Sequence, residues 1–240
     1  MNMAESGVTS TDLVGLLEGL HTTRAIRRYL PEAVPDDALN AMLFAATRAP
    51  SGSNRQPFRF LVLRDGEDAL RAKELIAAGA RDVWAAKRAN DGYDERSGQS
   101  SGSPKARMAA TMEHYVETFA DIPVVVLACL VRYREANPVE GASLYPACQN
   151  LLLAARALGY GGALSGFHMP VEEELRSLLH IPENVFVGAT ITLGKPAGRH
   201  GPVRRRPLEE LVFDGAWDRP AIWASDPDGT RFTQAGPPKS

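Results

Sequence analysis

Val124-Val125-Val126-Leu127-Ala128-Cys129-Leu130-Val131 is an unbroken apolar run rich in β-branched residues. With no polar alternation, it predicts a strand buried on both faces, which requires packed layers above and below it. Working outward, Phe58 to Leu63 and Val185 to Leu193 are further short, β-rich segments, the latter preceded by Ile181-Pro182. Covering helices are equally plain. Pro35-Asp36-Asp37 starts a pattern that places Leu39, Met42, Leu43 and Ala46 on one face, and Ser143 to Leu158 is an amphipathic helix stopped by Gly159. Pro170 introduces a shorter helix over Val171 to Leu179. Leu13, Leu16, Leu17 and Leu20 follow Thr11-Asp12 at helical spacing, and either cap residue can accept from the first free amides. No period of about 20 to 50 residues repeats, which excludes solenoids and propellers.

The chain has 240 residues, with 27 Lys+Arg against 29 Asp+Glu and a formal charge of −2, so nothing draws it to nucleic acid or anionic lipid. At 44% hydrophobic and 23% charged it is an ordinary globular composition, able to bury about 70% of its unfolded surface. One domain is expected over residues 1–213. Met1 to Thr11 lacks the basic start and apolar stretch of a signal peptide, and no run approaches the roughly 18 apolar residues that span a bilayer. A soluble, cytoplasmic protein is expected. Cys129 and Cys148 both lie in apolar surroundings and read as buried core thiols. The five histidines show no metal-ligand spacing, so no metal site is expected.

Between Val83 and Ala120 the composition turns to charge, glycine and serine, and Asn90 to Pro104 is too polar to fold alone, which predicts a mobile lid between helices. The stretch 214–240 is rich in Asp, Gly and Pro yet carries Trp217, Ile222, Trp223 and Phe232, so its first half is expected to dock on the partner subunit.

Three constellations could carry chemistry. Arg24, Arg27 and Arg28 form one basic cluster and Arg204, Arg205 and Arg206 another; singly each reads as a solvated surface, together they would hold a phosphomonoester. Pro50-Ser51-Gly52-Ser53-Asn54-Arg55-Gln56-Pro57 is a plain turn or, given its side-chain donors and acceptors, a cradle for a heterocycle with carbonyls and ring nitrogens. Gly159-Tyr160-Gly161-Gly162-Ala163-Leu164-Ser165-Gly166 follows a helix. It lacks the strand-then-helix setting of a dinucleotide loop, and no phosphate-binding Gly-x-x-x-x-Gly-Lys-Ser/Thr exists, so Walker-type ATPases and Rossmann dehydrogenases are disfavoured. No Gly-x-Ser-x-Gly elbow supports a hydrolase.

In their order these motifs resemble the FMN-dependent nitroreductase family. The match runs from Thr22-Thr23-Arg24-Ala25-Ile26-Arg27-Arg28-Tyr29 through Ala49 to Phe58, then Gln149 to Ala155, Leu158-Gly159-Tyr160-Gly161 and Leu193-Gly194-Lys195-Pro196. It closes on Arg204-Arg205-Arg206-Pro207-Leu208-Glu209-Glu210-Leu211-Val212. The resemblance implies an α+β fold, a central mostly antiparallel sheet flanked by helices, in a homodimer with FMN at the subunit interface. By position, Arg24, Ala25 and Arg27 bind the flavin, with Arg27 near N1 and the C2 carbonyl, and Arg205 meets the phosphate. Pro50, Ser51, Asn54 and Gln56 come from the opening loop, some of them from the partner chain, while Gly162, Ala163 and Leu164 line the ring edge near N5. FMN carries the chemistry, so no side chain need be catalytic. The implied activity is ping-pong reduction of a nitroaromatic, a quinone or a related small acceptor by NADH or NADPH. The alternative is a protein that binds or delivers FMN without turnover.

Overall fold

The computed structural model describes residues 14–95, 98–100 and 102–233. Thr11, Asp12 and Leu13, the expected start of the opening helix, lie outside them. The helices are α1 Leu16–Thr22, α2 Asp36–Ala46, α3 Glu67–Asn90, α4 Pro104–Glu117, α5 Tyr145–Ala157 and α6 Glu172–Leu178. The strands are β1 Phe58–Leu63, β2 Val124–Val131, β3 Gly161–Ser165 and β4 Val185–Gly194, antiparallel throughout in the order β1-β2-β4-β3. This is the α+β arrangement that the resemblance implies.

The apolar run at β2 is explained by its two faces. Val124, Val126, Ala128 and Leu130 pack with residues of α2 and α5, whereas Val125, Leu127 and Cys129 pack on the other side with α3, α4 and α6. Neither face meets water, so alternation has no cause. The sheet bends where Ala128 pairs with Ala189 but Cys129 pairs with Val187, leaving Gly188 as a bulge. Both cysteines are buried free thiols, as expected.

Two expectations need correction. Gly161–Ser165 is a fourth strand at the sheet edge, where the sequence reading assigns no strand. The stretch 83–120 is largely helix, taken up by the end of α3 and by all of α4. Helix α3 is held largely by small residues, Ala72, Ala77, Gly79 and Ala80, which is why its apolar face is faint in sequence.

Compactness divides the chain into Met1–His200 and Gly201–Ser240, where the sequence reading puts a boundary after residue 213. In the second unit Phe213 stacks on Trp217 at 5.0 Å, Trp223 Nε1 donates to Asp214 at 2.9 Å, and the Leu208 amide donates to Asp226 at 2.9 Å. Its large side chains face outward: Trp217 is 85% and Ile222 100% exposed in the single chain.

His168 is buried under β4. Its Nε2 faces the Val187 carbonyl at 2.9 Å, which can only accept, so Nε2 carries the proton and Nδ1 accepts from Thr190 Oγ1 at 3.0 Å. Burial holds the imidazole below the ordinary histidine value, against the raising effect of the Val187 carbonyl. A depressed folded-state pKa gives stability that is complete above about pH 6.5 and is lost as pH falls through the folded value. His168→Gln is therefore expected to cost about 2 kcal/mol at pH 7.5, through loss of two buried hydrogen bonds. It should also flatten the fall in melting temperature between pH 6.5 and 5. Parallel melting curves of the two proteins would disprove this.

Candidate functional site

The segment carrying the first motif is fastened to β3 at Gly162 and to the stretch just past β4. The Ile26 amide donates to Gly162 O at 2.9 Å, Leu30 N to Lys195 O at 2.9 Å, and Ala197 N to Arg28 O at 3.0 Å. Ile26 is buried, and Arg24 and Arg27 on either side of it face outward from that anchor. Arg24, Ala25 and Arg27 are thereby brought beside Gly162, Ala163 and Leu164.

Arg27, Ala163 and Leu164 line one cleft of about 290 Å³. Its opposite wall is the stretch expected as a lid, which contributes Trp84, Lys87 and Tyr93 around the end of α3, and Met108 and Met112 from α4. These are contacts that the sequence reading missed. Trp84 and Tyr93 did leave a signal, since aromatic residues in a charged, serine-rich stretch need something to cover. Glu113 clamps this wall: its Oε2 accepts from Trp84 Nε1 at 3.0 Å and from Arg88 Nη1 at 2.8 Å. Arg88 also forks onto Asp94, and Tyr93 meets Trp84 edge-on at 5.0 Å. Among the described residues no carboxylate lines the cleft, and the formal charges they bring to it are the cations Arg27 and Lys87.

Beneath Ala163 lies a hydroxyl chain. Thr192 Oγ1 is 2.8 Å from Tyr29 OH and 2.7 Å from Tyr115 OH, and Tyr29 OH donates to Ile26 O at 2.6 Å. Burial pushes the Tyr115 phenol up to about 12 and Tyr29 well above its ordinary value, so both remain protonated. The chain fixes Ile26 and Ala163 relative to one another, and with them the placement of Arg27.

Pro50, Ser51, Asn54 and Gln56 do not join this group within one chain. Their loop opens β1 beside Leu130, while Gly162 pairs with Leu193 at the Val124 end of the sheet, on the far edge. Three inter-strand steps and six residues along β2 put the two places about 25 Å apart. Helix α5 gives a similar span: the Gly52 amide donates to Ser143 Oγ at 3.1 Å near its start, and β3 follows its end, about 20 Å on.

The loop itself is strained. Ser53, Asn54 and Gln56 have φ of 52°, 52° and 49°. Asparagine tolerates that region, but serine and glutamine enter it at a cost of about 1 kcal/mol or more each. The conformation is held by Gln56 N donating to Ser51 Oγ at 2.9 Å, by Arg59 Nη1 donating to Gln56 O at 3.1 Å, and by buried Pro57. The side chains of Asn54 and Gln56 are left exposed, with Gln56 Nε2 donating to the Asn54 carbonyl at 3.3 Å. Strain maintained on a surface in this way points to a binding role.

Residues 20–195 match the model of the Nitroreductase family. The chain belongs to that family. An NADH dehydrogenase of Thermus thermophilus is 30% identical over 191 residues, 79% of this chain and 91% of its own. A Desulfovibrio desulfuricans protein crystallised in complex with FMN is 29% identical, with a TM-score of 0.60 over 85% of this chain and 98% of that one. A nitroreductase of Desulfitobacterium hafniense with bound FMN shares the fold at 21% identity, with a TM-score of 0.57 over 78% of this chain and 92% of its own. The nitroreductase match ends before Arg205, which belongs to the second compact unit. There Arg206 pairs with Glu210, while Arg205 Nη1 donates to the neighbouring Arg204 carbonyl at 3.0 Å and its side chain is exposed. Among the described residues no cluster of His, Cys, Asp and Glu could hold a metal ion, and no helix is long and apolar enough to cross a membrane.

Proposed function

We propose that this chain is an FMN-dependent NAD(P)H oxidoreductase that reduces a nitroaromatic, a quinone or a related flat acceptor, and that it works as a homodimer. The observation that carries the reading is the cleft at β3, where the Ile26–Gly162 hydrogen bond sets Arg27 beside Ala163 and Leu164. The residues present fit a flavin mononucleotide: a narrow cleft with apolar walls, a guanidinium at its edge, and further cationic groups next to it. When bound, FMN supplies hydride acceptance from a reduced nicotinamide and electron delivery to the acceptor.

The chain's own residues position and select. The Arg27 guanidinium favours added negative charge in the cleft. Trp84, Tyr93 and Met112 offer flat, apolar surface to an aromatic partner and keep water away from it. Among the described residues the cleft wall holds no carboxylate or imidazole, so this reading takes the acceptor's protons from solvent. A homodimer is supported by the separation of the two halves of the site, and by Leu16, Leu17, Trp217 and Ile222, which are exposed in the single chain.

The test is the visible spectrum of the purified protein, followed by identification of the heat-released cofactor and assay with NADH, NADPH and a nitroaromatic. FMN with steady nicotinamide oxidation is expected. FAD, or no flavin even after reconstitution, overturns the reading, and bound FMN without turnover favours a flavin-delivery protein instead.

A further inference from the structure

Two buried side-chain nitrogens among the described residues have no hydrogen-bond partner: Arg156 Nε and His200 Nδ1. They come from α5 and from beyond β4, yet they share one neighbourhood. The His200 ring rests against β3, where a Cβ on Gly161 would sit 3.0 Å from Nε2, and that nitrogen faces the Tyr160 carbonyl at 3.0 Å. Arg24 Nη2 donates to the carbonyl of the adjoining residue, Arg199, at 2.9 Å. Arg156 Nη2 donates to Thr22 Oγ1, two residues before Arg24, at 3.3 Å.

Three cation-forming groups thus converge, with little among the described residues to offset them. The carboxylate that faces them, Glu18, is 4.0 Å from Arg156 and largely exposed. Burial, and then the fields of Arg156 and Arg24, hold the His200 imidazole below its ordinary value, against the raising effect of the Tyr160 carbonyl. Like charges gathered over unpartnered nitrogens are unfavourable unless an anion completes them.

We infer that Arg156 and His200, together with Arg24 of the first motif, hold the terminal phosphate monoester of the flavin. The inference rests on the FMN reading above and adds two residues to it. Gly161 lies about 7 Å along β3 from Ala163, a span suited to the chain between a flavin ring in the cleft and its phosphate. A dianion here gives Arg156 Nε–H an acceptor and offsets both guanidiniums. His200 can then carry a second proton, with Nε2–H on Tyr160 O and Nδ1–H on a phosphate oxygen.

Riboflavin, which lacks the phosphate, isolates the effect. Apo protein is titrated with FMN and with riboflavin, following quenching of flavin fluorescence, for wild type, Arg156→Met, Arg156→Lys and His200→Asn, with circular dichroism to confirm folding. Arg156→Met should weaken FMN by about tenfold to a hundredfold and riboflavin by less than about twofold, the size of a charge-assisted contact. Arg156→Lys should recover part of the loss, and His200→Asn should show a smaller loss confined to FMN. Equal loss of both flavins would make these residues structural. Unchanged FMN affinity would mean that the two nitrogens are satisfied by water only, and either result overturns the inference. If Arg156→Met fails to fold, the milder Arg156→Lys and His200→Asn decide by the same FMN-to-riboflavin ratio. A wild type that binds neither flavin defeats the FMN reading and this inference together, whereas FMN binding with an unaltered ratio in the variants defeats this inference alone.

Discussion

Alanine at position 162 is expected to lower the unfolding free energy by about 3 kcal/mol and to leave the purified protein largely without flavin. A Cβ on Gly162 would lie 2.4 Å from the Thr192 carbonyl oxygen and 2.7 Å from Leu152 Cδ2. The first of these is backbone of the neighbouring strand and cannot rotate away. Strand β3 must therefore move outward at its edge, breaking the Ile26–Gly162 hydrogen bond and displacing Arg27 from the cleft. Gly161→Ala is the informative control. Its added Cβ would meet Ile26 Cγ1 at 2.5 Å, His200 Nε2 at 3.0 Å and Ile26 Cβ at 3.1 Å, side-chain atoms and not strand backbone, so a smaller cost of about 1 kcal/mol is expected. Chemical denaturation and the ratio of flavin to protein absorbance measure both effects. Equal, small losses in the two variants would show that β3 is not the rigid wall described here.

The same glycines show why the fold was only partly legible. β2 could be read from sequence because both of its faces are covered, and α2 and α5 because each has one apolar face. β3 could not, because Gly161 and Gly162 answer to the close approach of Thr192 and Ile26 and suppress the β-branched pattern that marks a strand. Helix α3 was faint for a related reason, four of its seven buried residues being alanine or glycine. In the site, motif order placed Arg24, Ala25 and Arg27 with Gly162, Ala163 and Leu164, but their meeting depends on one backbone hydrogen bond between residues far apart in sequence. The hydroxyl chain of Tyr29, Thr192 and Tyr115 and the orphaned nitrogens of Arg156 and His200 depend wholly on packing across elements. No local spacing encodes them.

A hybrid dimer should bind one flavin where both of its parents bind almost none. The loop carrying Asn54 and Gln56 and the cleft carrying Arg27 and Ala163 lie about 25 Å apart in one chain, farther than a single isoalloxazine ring extends. If both touch the same flavin, they must come from different subunits. Asn54→Val puts a β-branched residue at φ 52° and removes the loop's amide, while Arg27→Glu reverses the charge at the cleft. In a symmetric homodimer either change damages both sites, so occupancy below about one tenth is expected for each parent. Co-expression with two affinity tags isolates the dimer that carries one change in each subunit. There one site gathers both lesions and the other gathers none, and flavin should return to one per dimer. Were each flavin bound within a single chain, both sites of the hybrid would keep one lesion, and the hybrid would be as empty as its parents.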